Sequence, residues 1–243
     1  MTPENLPENA APESRELPDL GVAPIRRMRL VDEATRLIRD MILAGTLKGG
    51  TRLGQVELAR QMGISRTPLR EALMRLEQEG LIAMLPQGGL RVVELDAEGA
   101  IELYEIREVL DGLAARLAAM RTGNEGLKAL EGHLKKMEGA MKSGNAHNWF
   151  INHHAFHEEI FRLCGNGRVL GLSANVRLSI QRFHQLLLTT PNRLEIAFAE
   201  HKEIYNAIKA GDPVRAEAEA RRHIANAREI VVGVMEAESW AAR

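Results

Sequence analysis

The stretch Gly63-Ile64-Ser65-Arg66-Thr67-Pro68-Leu69-Arg70-Glu71-Ala72-Leu73 constrains the fold more than any other part of the chain. It reads as a tight turn entering a helix. Ser65 or Thr67 can cap that helix, and Pro68 falls in the first turn, where a missing N–H costs no hydrogen bond. Leu69, Ala72, Leu73 and Leu76 recur at helical spacing and make one apolar face. Arg66, Arg70 and Arg75 are left pointing elsewhere. A short helix with one buried face and guanidinium groups near its start suits the major groove of DNA, where phosphates and guanine edges accept from arginine forks.

Upstream, Val56, Leu58, Ala59 and Met62 mark a shorter helix that Gly63 ends, which predicts a helix-turn-helix. Downstream, Gly80 closes the second helix. The runs Leu81–Leu85 and Leu90–Leu95, apolar and partly β-branched, meet across Pro86-Gln87-Gly88-Gly89 and predict a hairpin. That hairpin would be the wing of a winged helix. From Leu30 to Ala44 a clean helical stripe, stopped by Gly45, supplies the first helix of the same unit.

Leu47-x-x-Gly50-x-Arg52-Leu53, Leu58-Ala59, the Gly63–Leu73 stretch and Leu76-x-x-x-Gly80-Leu81 resemble the DNA-binding domain of the GntR family of bacterial transcription regulators, over most of residues 30–95. The resemblance implies that Ser65, Arg66, Thr67 and Arg70 contact operator DNA, together with the wing tip at Gly88 and Gly89. Some members carry a further DNA-reaching arginine in the preceding helix. Here that position is Val56, so part of the operator preference is expected to differ.

Charge is unevenly distributed. Residues 1–24 carry a net −4, residues 25–95 a net +4 and the remainder −1. A positive module inside a slightly acidic chain fits nucleic-acid binding. Residues 1–24 are acidic, hold four prolines in the first eighteen positions and lack apolar periodicity, so they read as a disordered arm. The single cysteine, Cys164, fits a reducing compartment. With no signal-peptide pattern and no apolar run of membrane-spanning length, the expected location is the cytoplasm, away from any membrane.

Beyond Leu95 amphipathic helices follow one another, at roughly 97–121, 124–142, 146–164, 168–188, 193–210 and 213–236. Short breaks such as Gly165-Asn166-Gly167 and Gly211-Asp212-Pro213 separate them, which predicts an antiparallel bundle. Histidine placement is informative here. His153 and His157 lie one turn apart on one face. His201 and His223 stand almost equally far from Gly211-Asp212-Pro213, so a hairpin there brings them to one height. Four imidazoles from three helices would make a nitrogen-rich metal site. Surface or hydrogen-bonded histidines show the same spacings, so the residues alone leave metal binding open. His147 and His154 fall off the shared face.

Residues 100–233 are similar to the helical effector domain called FCD, through Ile106-Arg107-x-x-Leu110 with Ala114-Ala115, Phe156-His157-x-x-Ile160, Gly165-Asn166, Glu200-His201-x-x-Ile204-x-x-Ala207-Ile208-x-x-Gly211-Asp212, and His223. The resemblance implies a divalent metal on His157, His201 and His223. The fourth ligand in metal-binding members is an aspartate or asparagine four residues before the first histidine, and here it is His153. Replacing an oxygen ligand by nitrogen tilts the preference toward zinc or nickel and away from manganese. Such domains bind a small organic acid beside the metal, for which Arg107 is the matching arginine. Asn175, Ser179 and Arg182 share a face of the fourth bundle helix, and Asn175 and Arg182 are taken as further effector contacts.

The expected protein is mainly α. An arm over 1–24 precedes a winged helix-turn-helix over 25–95 and an all-helical bundle over 96–243. It would act as a homodimeric repressor on an inverted-repeat operator, controlled by the organic acid, and not as an enzyme. A metal-dependent hydrolase and a regulator of the same kind without metal are the alternatives. Against the hydrolase, no carboxylate is evidently paired with the histidines as a general base, since Glu158 and Glu159 face away.

Overall fold

The computed structural model describes residues 27–94, 96–121, 123–188 and 190–241; the acidic arm expected over 1–24 lies outside them. The chain opens with α1 (Arg27–Leu43), β1 (Arg52–Leu53), α2 (Gln55–Gln61), α3 (Arg66–Gln78), β2 (Ile82–Met84) and β3 (Leu90–Val92). α3 buries Leu69, Leu73 and Leu76 completely, in one cluster with Ile38 and Ile42 of α1, Leu81, and Ile82 and Val92 of the sheet, and Ala72 against Val31 and Ala34 of α1. The turn into α3 depends on Gly63, whose φ of +63° favours glycine, and on a bond from Ile64 N–H to the Ala59 carbonyl at 3.1 Å. Ser65 has the extended backbone of a capping residue, yet its side chain makes no capping hydrogen bond.

The hairpin expected from Gly88 and Gly89 is present. Both take positive φ, and Leu85 N–H donates to the Gly89 carbonyl at 2.9 Å. The structure adds a third strand. β3 is central, pairing antiparallel with β2 on one side and with the two-residue β1 on the other, in the order β1-β3-β2. Two residues are too few to show an alternation, which is why β1 had no signal of its own.

The rest is helical: α4 (Ala97–Arg121), α5 (Asn124–Lys142), α6 (Ala146–Leu163), α7 (Gly167–Ile180), α8 (His184–Leu188), α9 (Arg193–Lys209) and α10 (Pro213–Ala241). The fourth expected helix is therefore two, separated by a 3-10 turn at Gln181–Phe183. Local caps explain the remaining breaks. Asn145 accepts from Asn148 N–H, and Asn166 accepts from Arg168 and Val169 N–H at the start of α7. At the α9–α10 hairpin, Gly211 takes φ +64°, Asp212 accepts from Arg215 N–H and Pro213 opens α10. α10 packs along α4 and α9, and α6 lies between α4 and α5. Among the described residues no helix is long and apolar enough to cross a membrane.

The two parts meet along α7 and the turn after it. Asn175 Nδ2 donates to the carbonyl of Gln78, the last residue of α3, at 2.9 Å. Arg182 donates to the Val93 carbonyl at 2.6 Å, and Leu178 packs against the winged core.

Candidate metal centre and nucleic-acid interface

His153 and His157 of α6, His201 of α9 and His223 of α10 converge in the bundle interior, each buried, with one ligand atom apiece inside a 4.8 Å span. The α9–α10 hairpin brings the rings of His201 and His223 to a centroid distance of 4.3 Å. His157 Nε2 and His201 Nε2 are 3.1 Å apart. Two nitrogens sharing an ion at about 2.1 Å lie roughly 3.0–3.4 Å from each other, so the pair has ligand spacing.

The outer ring nitrogens are held. His157 Nδ1 faces Asp111 Oδ1 at 3.0 Å, His223 Nδ1 faces Glu200 Oε2 at 2.7 Å, and His201 Nδ1 is bonded to the Ala197 carbonyl. At His201 and His223 an Nδ1–H given to oxygen leaves the Nε2 lone pair free to point inward, the tautomer a metal requires, whereas His157 Nδ1 is close to Asp111 without a hydrogen bond. His153 completes the group, stacked on Trp149 at 5.1 Å and 16°. Burial lowers His157, His201 and His223 below the ordinary imidazole range, and the nearby Arg107 charge adds to it. All three are thus neutral bases at pH 7. Burial pushes the Glu200 carboxyl up, but its bonds to His223 and Asn226 and the charge of Arg193 outweigh that and bring it down to about 2. At Asp111 burial wins over Arg107 and Arg177, and its carboxyl is raised.

Beside the cluster lies a cavity of about 20 Å³, room for a single water. Arg107, Arg193, His153 and His223 line it with Trp149 and Leu187. Arg107 is buried and pairs with Asp111 at 3.6 Å. Arg193, which the sequence gave no reason to single out, is buried as well and pairs with Glu200 at 3.2 Å. The Nε of each arginine meets no acceptor within hydrogen-bonding distance among the described residues.

Asn175 and Arg182 lie elsewhere in this structure. Neither lines this cavity; both hold the seam to the winged part, because the face they share on α7 and its following turn meets Gln78 and Val93. His154 is not one of the four, although its ring lies 5.2 Å from that of His153; it lines a seam cleft with Arg177, Glu158, Arg39 and Glu79, and burial lowers it to about 4.

On the far side, Arg66, Thr67 and Arg70 line an open groove on the exposed face of α3, with Ser65 exposed at its start and Gly88 and Gly89 exposed at the wing tip. Arg75, also off the buried face, turns back to Asp32 of α1, at 2.5 Å. The sheet adds a pair that the strand pattern did not reveal. Arg52 and Arg91 are exposed register partners, and like charges directly opposite repel unless an anion lies between them.

Residues 30–92 match the family profile described as bacterial regulatory proteins, gntR family, and residues 102–226 match that of the FCD domain. The chain is 30% identical over 187 residues to the HTH-type transcriptional regulator YdhC of Bacillus subtilis (strain 168), covering 76% of this chain and 84% of that protein. It is also 30% identical over 193 residues to a probable D-xylose utilization operon transcriptional repressor of Paenarthrobacter nicotinovorans, covering 77% and 84%. Among solved structures, E. coli McbR/YncC shares the fold, with a TM-score of 0.69 at 22% identity over 83% of this chain and 96% of that one. A helix-turn-helix with a wing, followed by this helical domain, places the chain in the GntR family of bacterial transcription regulators, in the branch that carries an FCD domain.

Proposed function

We propose that the chain is a cytoplasmic, homodimeric repressor whose affinity for an inverted-repeat operator is set by a small organic acid bound beside a divalent metal. One observation carries the metal: four buried imidazoles with their inner nitrogens gathered, two of them oriented by hydrogen bonds to oxygen acceptors. The nitrogen donors fit zinc or nickel better than manganese. Bound there, the ion would supply an open position for a carboxylate oxygen. Arg107 and Arg193 would hold the rest of the acid, since guanidinium forks match carboxylates. The cavity is small in this conformation, so an acid larger than a water-sized group requires its walls to move apart.

On the DNA side, Arg66 and Arg70 would reach base edges and phosphates, Ser65 and Thr67 the backbone, and the Gly88–Gly89 tip an adjacent groove. Arg52 and Arg91 would straddle a phosphate, which relieves their mutual repulsion. A hydrolase is disfavoured by how the nearby carboxylates are used: Asp111 and Glu200 orient imidazoles, and Glu159 pairs with Arg162.

The test combines metal analysis with operator binding. Elemental analysis of protein purified without chelator should give about one zinc or nickel per chain. His201→Ala and His223→Ala should each lose it. Operator selected from random duplexes should be an inverted repeat, and its affinity should respond to organic acids only in metal-loaded protein. Full metal retention by both variants, or an unchanged acid response after chelation, would refute the metal-dependent reading.

A further inference from the structure

The seam cleft that His154 lines is far roomier than the cavity beside the imidazoles, about 390 Å³ against about 20 Å³. That volume falls in the range of small-molecule sites, roughly 300–1,000 Å³, yet its walls are charged where most such sites are apolar. Both parts of the chain build it. α1 and the end of α3 supply Arg39 and Glu79, α6 supplies His154 and Glu158, and α7 supplies Arg177.

The charges on these walls are not equally spent. Arg39 and Glu79 hold each other through two bonds, at 2.9 and 2.5 Å, so that pair is already satisfied. Arg177 is not. Its guanidinium lies over the Phe161 ring, 4.5 Å from the centroid, and its Nη1 has no hydrogen-bond partner among the described residues. Burial lowers its pKa, and the charges of Asp111 and Glu158 offset part of that. A guanidinium held this way is matched by a carboxylate fork. Glu158, exposed on the α6 wall, brings a carboxylate to the same cleft.

We propose that the cleft is a second ligand site and that it takes a small zwitterion, an α-amino acid, with its carboxylate on Arg177 and its ammonium toward Glu158. A simple anion would meet the carboxylates of Glu79 and Glu158, and a simple amine would meet the guanidiniums of Arg39 and Arg177. A molecule carrying both charges suits both walls. The site needs no metal and stands whether or not the imidazoles hold one. Because its walls belong to both parts of the chain, occupancy is linked to how the winged part sits on the bundle, and through that to operator affinity.

Calorimetric titration of the full chain with each common α-amino acid, and with its deaminated and decarboxylated counterparts, reads the site. One amino acid, or a group of similar ones, should bind, and each stripped counterpart should bind at least about tenfold more weakly, the usual cost of a lost charge-assisted hydrogen bond. In Glu158→Gln, an exposed position, the amino acid and its deaminated counterpart should bind alike, because the ammonium has lost its partner. In Arg177→Met the amino acid and the amine should bind alike. A residue that only supports the fold would weaken all three ligands and leave their differences intact. Binding should survive chelation, and saturating amino acid should shift operator affinity at least about fivefold. No binding by any member of the panel would overturn the site. A deaminated counterpart that binds wild type as well as its amino acid would overturn the zwitterion class, and differences kept in both variants would overturn the placement. Binding lost on chelation would move the ligand to the imidazoles and overturn the cleft, and unchanged operator affinity would overturn the link to DNA. None of these results decides the metal reading, which elemental analysis tests by itself.

Discussion

His157 and Asp111 tie the imidazole cluster to α4: Nδ1 and Oδ1 lie 3.0 Å apart, and both side chains are almost wholly buried. The carboxylate lies against the ring whose Nε2 faces His201. Asp111→Asn should therefore keep the fold but weaken metal binding by about 10–100-fold, the usual effect of losing an outer partner. Competition against a chelator of known strength measures it. An unaltered affinity would show that His157 needs no such support.

Acid should destabilise the metal-free protein. Burial lowers His157, His201 and His223, and brings His154 to about 4, while in the unfolded chain imidazoles protonate near 6.5. Between these values the unfolded chain takes up protons that the folded chain refuses, so stability is full above about 6.5 and falls as pH drops toward about 4. A fall of more than about 5 °C in Tm between pH 7.5 and 4.5 is expected, with bound metal lost over the same window. A flat Tm would mean that the imidazoles are not held neutral.

Arg66→Ala combined with Arg70→Ala should abolish operator binding at physiological salt, at a cost of about 1–3 kcal/mol for each base-reading arginine. Arg75→Ala should cost far less, because Asp32 holds that side chain against α1. Fluorescence anisotropy on one operator fragment ranks the three. Equal losses would place Arg75 on DNA after all.

Asn175→Ala with Arg182→Ala cuts two side-chain bonds across the seam. Metal affinity should stay the same while the acid-induced change in operator affinity, about 5–150-fold in coupled systems, shrinks toward none. Full coupling in the double variant would route the signal elsewhere.

Local signals in the sequence carried much of this. The Gly63–Leu73 stretch determines its own turn, cap position and buried face, so α3 could be read directly, and Gly211-Asp212-Pro213 was enough to bring His201 level with His223. What stayed hidden depends on packing between distant segments. Asn175 and Arg182 share a helix face, but periodicity does not say which neighbour that face meets. Arg193 and Glu200 pair across two turns of α9, and only the bundle shows that this pair borders the cluster. The break at Gln181–Phe183 has neither glycine nor proline to announce it. Asp32 claims Arg75 from 43 positions away.

The grip of Asn175 on Gln78 has a mechanical side. α3 is held at its heel by the bundle, and its toe carries Arg66. Over the roughly 18 Å between those residues, a swing of only about 5° displaces the toe by about 1.6 Å, more than the tolerance of a base-edge hydrogen bond. Leverage of that kind lets a sub-ångström adjustment in the interior arrive at the duplex enlarged.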